Sequence, residues 1–313
     1  MSTMSIGITM FGAMLVLMAV RVPIAISMFV PGAVGYIALA GWLPLLSHLK
    51  GAVYGRVSVY DLSVIPLFMF MGALAVQGGL SRALFNFANA LLGRFKGGMA
   101  MAGVLACAAF GSISGSTVAT TATIAQVAYP EMRRIKYSGR LATAALATGG
   151  TMGVLLPPSV TLMVYAILTE QNITKMFLAA YVPAILAAIG YLLAIAVIVR
   201  LHPEQAPAAQ AVPRHELVAG VRAVWPIVVI FTVVFGGIYG GLFTATEGAS
   251  IGTMLTFIIT MVRGEMNPTK LVAAVRTTAQ TSGMIFLIFI GADMINASLA
   301  LSQLPAQLAD VVG

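Results

Sequence analysis

The chain has 313 residues, of which 60% are hydrophobic and only 8% charged, with 17 Lys+Arg against 9 Asp+Glu and a net charge of +8. A soluble domain carries about 25% charged residues, so a water-soluble enzyme and a disordered chain are excluded, and the single Cys107 excludes a disulfide scaffold. What remains is a polytopic membrane protein. Long unbroken apolar runs and 32 glycines fit helix packing rather than the period-two strands of an outer-membrane barrel. The basic residues lie between apolar runs and no basic-aromatic module is present, so the positive charge reads as a topology signal, with no nucleic-acid partner.

Taken in order, residues 4–20 predict a first span; they lack a basic start and a small-residue cleavage site, which argues against a cleavable signal. Residues 24–42 predict a second span, followed by a polar stretch over 47–61. Residues 62–80 predict a third span. Residues 81–96 are amphipathic, with Arg82, Arg94 and Lys96 among Leu84, Phe85, Phe87 and Leu91, suited to the plane of the interface. Residues 99–111 are apolar, but 13 residues reach about 20 Å against a hydrocarbon core of roughly 30 Å. The small-residue tip from Gly111 to Ser116 follows. A second short arm over 117–129 ends at Pro130. Two short arms around a Gly/Ser tip predict a re-entrant hairpin over 99–130.

A helix beginning at Leu141 breaks between Gly153 and Ser159, where Pro157 and Pro158 remove two backbone donors, and resumes to Leu168. Residues 141–168 therefore predict a discontinuous span. A full span over 176–201, a Pro/Ala-containing linker (HPEQAPAAQAVPR, 202–214), spans over 225–242 and 249–262, an amphipathic stretch over 269–281 and a last span over 284–301 complete the chain. With the N-terminus outside and the hairpin entering and leaving on one side, fourteen of the seventeen Lys+Arg fall inside; if the hairpin crossed fully, the split would be eight to nine.

Phe70-Met71-Gly72-Ala73 in the third span matches Phe289-Ile290-Gly291-Ala292 in the last. The match extends from Gly79-Leu80-Ser81 against Ser298-Leu299-Ala300 to Leu91-Leu92-Gly93 against Val311-Val312-Gly313, with one residue of slippage. The two copies thread in opposite directions, the pattern of an inverted repeat. The organisation expected is N-terminal scaffold helices over 1–60, a first repeat core over 61–201, a cytoplasmic linker over 202–222 and an incomplete second repeat over 223–313. On this reading the chain is a fragment or a truncated product.

The tip and the break would bring four half-helix ends together. The carbonyl ends at Gly111 and Met152 suit a cation; the N–H ends after Thr117 and Val160 suit a carboxylate. Ser112, Ser114, Ser116, Thr117 and Thr120 add hydroxyls; small and hydroxyl residues also serve simple helix packing. Asp293, inside the last span, and Glu247, at the start of another, are possible functional acids of the second repeat, or an interfacial residue and a helix cap. No catalytic constellation, phosphate loop or metal spacing is present: His48, His202 and His215 are scattered. The chain reads as no enzyme, with no cofactor and no transition-metal site.

The hairpin GSISGSTVATTATI (111–124), then YPEMRR (129–134), then GGTMGVLLPPS (149–159) resemble the DctM-like large permease subunit of tripartite ATP-independent periplasmic (TRAP) transporters, and GGIYGGLFTATEGA (236–249) is similar to that family's second-repeat entry. The resemblance implies an all-α, inverted-repeat, elevator-type importer of organic acids in the bacterial inner membrane, coupled to Na⁺. It also implies a small four-helix membrane partner and a periplasmic substrate-binding protein. Carried onto this chain, the Na⁺ site takes Ser114, Gly115, Ser116, Gly150, Gly153, Leu155 and Pro157. The substrate set takes Ser112, Ser116, Thr117, Thr120 and Ser159. The alternatives at this level are a channel-like pore, which needs a continuous polar lining, a membrane-embedded enzyme, and an inactive fragment of such a permease. C4-dicarboxylate, sugar acid and keto acid all remain open as substrates.

Overall fold

The computed structural model describes residues 3–207 and 214–307. Among them there is no strand, and the chain is an all-α membrane protein with six helices long and apolar enough to cross a bilayer. The helices are α1 (Thr3–Ala19), α2 (Ile24–Ala40), α3 (Trp42–Val57), α4 (Val64–Gln77), α5 (Leu80–Leu92), α6 (Gly98–Ser114), α7 (Thr117–Arg134), α8 (Gly139–Leu155), α9 (Val160–Leu168), α10 (Ile173–Leu201), α11 (Arg214–Tyr239), α12 (Ala245–Val262) and α13 (Pro268–Leu301). They form two compact units, residues 1–62 with 279–313, and residues 63–278.

In the first unit α1 packs on α2, with Met10, Met14 and Ile295 as its core. The later part of α13 lies directly on α2: a Cβ on Gly32 would fall 2.9 Å from Ile295 N, one on Gly291 2.7 Å from Ala25 O, and the Ser298 hydroxyl donates to Gly32 O at 2.5 Å. Small residues here let two backbones touch, as helices without a hydrophobic drive between them require.

The second unit is built around α6. Fifteen of its 17 residues are buried, because Gly98, Ala100, Ala102, Gly103, Ala106, Ala108 and Gly111 present so little bulk that α4, α5, α7, α8 and α10 all reach it. An apolar helix with no polar face belongs in the centre of its unit. The amphipathic α5 buries Leu80, Ala83, Leu84, Phe85 and Ala88 against α6 and leaves Arg82 and Asn86 outward. On the other side Thr253 of α12 donates to Leu67 O of α4 at 2.8 Å.

Several boundaries differ from the sequence expectation. The stretch over 47–61 read as polar holds most of α3: Ser47 and Lys50 are exposed on a helix whose Leu45 is buried, His48 is half-buried and stacks on Tyr36, and Pro44 sits in the first turn, where no donor is lost. The arms of the hairpin are longer than 13 residues. α6 has 17 and α7 has 18, about 25 and 27 Å, because α7 continues past Pro130 to Arg134. The one donor lost at Pro130 is offset by Met132, fully buried, and by Tyr137 N–H donating to Met132 O at 2.9 Å. α8 extends to Leu155, so Met152 O still accepts from Leu156 N–H at 3.0 Å. The amphipathic stretch over 269–281 and the last span are one helix, α13, of 34 residues. α11 begins at Arg214, so the later half of the expected linker is helical, and residues 208–213 lie outside the described residues.

The two repeat motifs share a role but not the expected register. Gly72 and Gly291 are each points of backbone contact. α4 is followed by a left-handed Gly79 (φ 67°) and then α5; α13 is followed by a left-handed Gln303 (φ 56°) and then helical residues 304–307. Residues 298–300, aligned by sequence with this turn, are still inside α13. The turn comes seven residues after Gly72 but twelve after Gly291. Val311-Val312-Gly313 lie outside the described residues.

Candidate functional site: a helix hairpin tip against a broken helix

α6 ends because Gly115 turns left-handed (φ 61°), and its N–H donates to Gly111 O at 2.8 Å, a conformation glycine adopts without a Cβ penalty. Ser116 is then extended, and its hydroxyl accepts from Ala119 N–H at 3.4 Å as the N-cap of α7. The Ser114 and Thr120 hydroxyls lie 2.6 Å apart and tie the end of one arm to the start of the other. At the far end, Met99 N–H in the first turn of α6 donates to the Tyr137 hydroxyl at 3.2 Å, just after α7. Both arms therefore start and finish at one level, which makes α6–α7 a hairpin. Tyr137 is buried, and that burial raises its phenol above the ordinary value.

The break in the next helix has a similar form. Leu156 is extended (ψ 128°), Pro157 and Pro158 are joined by a cis peptide, and Ser159 caps α9 by accepting from Leu162 N–H at 3.3 Å. The helical partners of the Gly153 and Val154 carbonyls would be the nitrogens of Pro157 and Pro158, which carry no hydrogen. The carbonyls freed by the break are thus those of Gly153 and Val154.

Tip and break are pressed together. A Cβ on Gly111 would fall 2.8 Å from Gly153 N; one on Gly153 would meet Thr120 Oγ1 at 2.9 Å and Ser116 O at 3.1 Å; one on Gly115 would meet Pro158 O at 3.0 Å and Val160 N at 3.3 Å. The carboxyl ends of α6 and α8 and the amino ends of α7 and α9 converge there. Their partial charges and a set of carbonyl and hydroxyl oxygens form the electrostatics of the site, since the residues that build it are all neutral. An oxygen-only ligand set of this kind suits hard cations and lacks the nitrogen and sulfur ligands that softer transition metals prefer. Among the described residues no three His, Cys, Asp or Glu side chains are placed to hold a metal ion.

Of the residues expected to hold Na⁺, Ser114, Gly115, Ser116, Gly153 and Pro157 meet at this junction. Gly150 lies a turn earlier on α8, in contact with the Thr121 hydroxyl. The side chain of Leu155 is 36% exposed. Of the expected substrate set, Thr120 and Ser159 are fully buried, and Thr117 is half-buried at the tip, its carbonyl accepting from the Thr121 hydroxyl at 2.8 Å. Ser112 lies elsewhere: two residues from Ser114, it points to the opposite side of α6, and its hydroxyl donates to Ala109 O at 2.8 Å. Glu247 is exposed at the start of α12 and forms a capping box with Thr244, its carboxylate accepting from Thr244 N–H at 2.8 Å. Asp293 is half-buried in the part of α13 that belongs to the other unit.

Sequence reasoning missed two residues that shape the junction, Gly72 and Thr121, and did not foresee which residue Gly111 of the tip meets. Gly72 of α4 abuts the tip, where a Cβ would fall 2.8 Å from Ser114 Cα; Gly111 makes the contact with Gly153; and Thr121 packs on Gly150. Gly72 was marked only as a repeat position, and a lone glycine in an apolar helix carries no further signal.

The sequence profile of the tripartite ATP-independent periplasmic transporter DctM component matches residues 11–313. The chain is 31% identical over 255 residues to the C4-dicarboxylate TRAP transporter large permease protein DctM of Pseudomonas aeruginosa, covering 81% of this chain and 59% of that protein. It is 30% identical over 307 residues to the isethionate TRAP transporter permease protein DctMQ of Oleidesulfovibrio alaskensis, covering 97% of this chain and 47% of the relative. It is also 27% identical over 308 residues to the 2,3-diketo-L-gulonate TRAP transporter large permease protein YiaN of Escherichia coli, covering 96% and 70% respectively. The chain thus spans roughly half to two-thirds of the length of most of these relatives.

Proposed function

Because the chain belongs to the DctM-component family of tripartite ATP-independent periplasmic transporters, a family of permeases and not of enzymes, we propose that it is the permease part of a Na⁺-coupled importer of organic acids in the bacterial inner membrane. The observation that carries this reading is the junction of tip and break. Two carbonyls there have lost their helical donors to Pro157 and Pro158, beside the hydroxyls of Ser114, Ser116 and Thr120. A Na⁺ ion takes the place of those donors, held by Ser114, Gly115, Ser116, Gly153 and Pro157 or their backbones, with Gly150 and Leu155 flanking. The amino ends of α7 and α9, with Thr117, Thr120 and Ser159, face the anionic group of the substrate. Bound cation and bound anion neutralise one another, which lowers the desolvation cost of carrying either through hydrocarbon.

In this reading the helices of residues 1–60 serve as scaffold, the N-terminus is periplasmic, and hairpin and broken helix move as one body in an elevator-type cycle. A periplasmic binding protein delivers the substrate, and a small four-helix subunit completes the membrane complex. The relatives are named for a dicarboxylate, a sulfonate and a sugar acid. That range fits a site that recognises an anionic group through helix ends rather than one particular skeleton.

The test is uptake of a radiolabelled dicarboxylate, isethionate or diketogulonate into proteoliposomes holding the chain with its membrane and binding-protein partners. Uptake that needs an inward Na⁺ gradient and falls in Ser114→Ala and Ser116→Ala is the result expected. Uptake indifferent to Na⁺ and to both substitutions contradicts the reading.

A further inference from the structure

On the side of α6 opposite Ser114, helices α5, α6, α10 and α11 enclose an open-sided cavity of about 520 Å³. This is within the ~300–1,000 Å³ range of ligand sites. Its walls carry only two hydroxyl side chains, Ser112 and Thr232, and the Ser112 hydroxyl is committed to Ala109 O. Ordered water needs two to four polar partners, and an organic anion needs several donors or a positive charge; beyond the single Thr232 hydroxyl the lining side chains offer none. It is not a second substrate site.

Its depth identifies what fills it. Ala184 and Ala188 on one wall lie at the middle of α10 (Ile173–Leu201), and Ile227 and Phe231 on another lie at the middle of the span Val218–Tyr239. Both helices therefore place the cavity at hydrocarbon depth. Its mouth lies between Ile185 and Val228, which are 52% and 57% exposed. Along α11 the lining runs from Val224 to Thr232, about 12 Å at 1.5 Å per residue, close to the roughly 15 Å depth of one leaflet.

We propose that this groove is an acyl-chain site: the hydrocarbon tail of a bilayer phospholipid enters between Ile185 and Val228 and lies against Ala109, Ser112 and Leu156. The tail supplies the dispersion contacts that the lining atoms otherwise lack. It also fills the space directly behind the hairpin tip and the break, since Leu156 is the first residue of the break and Ser112 the last turn of α6. The proposal rests on the membrane fold and not on the ion reading, so the two fail separately.

The test uses the 313-residue chain in nanodiscs of phosphatidylethanolamine and phosphatidylglycerol, doped with a phosphatidylcholine bearing a diazirine on its acyl chain. After illumination, adducts are mapped by peptide mass spectrometry. Adducts are expected on residues 105–109 and 224–231, beside those on the outer stripe of α10 at Leu186 and Leu193. Ala109→Phe, and separately the milder Ala188→Leu, fill the groove and reduce its adducts severalfold while the outer stripe stays labelled. Adducts confined to the outer stripe in the wild-type chain, whether the groove is covered by protein or empty, overturn the proposal. So do groove adducts that neither substitution changes.

Discussion

Gly115 is held at φ 61° with Pro158 O only 3.0 Å from where a Cβ would stand. Gly115→Ala therefore meets two penalties, about 1–2 kcal/mol for a left-handed alanine and a clash with a carbonyl that cannot retreat from a proline segment. A fall in the thermal midpoint of the purified protein checks this. Thr120 makes a narrower case. Thr120→Ala leaves the buried Ser114 hydroxyl without its 2.6 Å partner, at about 1–3 kcal/mol, whereas Thr120→Ser keeps the bond; the two thermal midpoints should separate accordingly. Glu247 is tested in the opposite sense. Its carboxylate is engaged by Thr244 in a helix cap. Thr244→Ala is expected to cost about 1 kcal/mol of stability, and Glu247→Gln to leave Na⁺ affinity unchanged. A tenfold loss of affinity in Glu247→Gln would give that acid a role beyond the cap.

At the scale of elements, the hairpin is fastened at both ends, by Ser114–Thr120 at the tip and by Tyr137–Met99 at the base. Tyr137→Phe leaves Met99 N–H unsatisfied in a buried place, so a loss of about 1–3 kcal/mol is expected. The pH dependence has a definite sign. Burial raises the Tyr137 pKa in the folded chain, so above about pH 10 the unfolded chain loses this proton first and stability falls as pH rises. Thermal midpoints from pH 9 to 11 should show a drop that is smaller in Tyr137→Phe. Pro157 and Pro158 announced the break from the sequence because proline chemistry is local. The Gly/Ser run announced the tip for the same reason. Sequence alone ends α8 at Met152, yet Pro157 and Pro158 remove donors only from the Gly153 and Val154 carbonyls, so Met152 O keeps Leu156 N–H and the helix runs on to Leu155. Pro130 reads as a stop in the sequence, although the burial of Met132 two residues on outweighs it. α3 and the unbroken α13 were not legible: Ser47, His48 and Lys50, or the Thr/Gln run near Thr281, dilute an apolar pattern without breaking a helix. The contact of Gly111 with Gly153 joins residues far apart in sequence, and only packing shows it.

Across the whole molecule, 17 Lys+Arg on a membrane protein are an orientation signal. In a Cys107→Ala background, a cysteine at Lys50 should react with an impermeant maleimide added outside intact cells. A cysteine at Arg140 should react only after the membrane is opened; the reverse pattern would invert the threading. If the proline-freed carbonyls and the tip hydroxyls hold a cation, as proposed, ²²Na⁺ binds the reconstituted chain saturably. Binding is expected to be retained in Thr120→Ser. Binding at least about tenfold weaker, or roughly 1.4 kcal/mol, is expected in two variants. Gly153→Ala pushes a methyl group at Ser116 O and Thr120 Oγ1, and Pro157→Ala returns an N–H to the Gly153 carbonyl. No saturable Na⁺ binding, or equal affinity in all four proteins, would contradict the proposal.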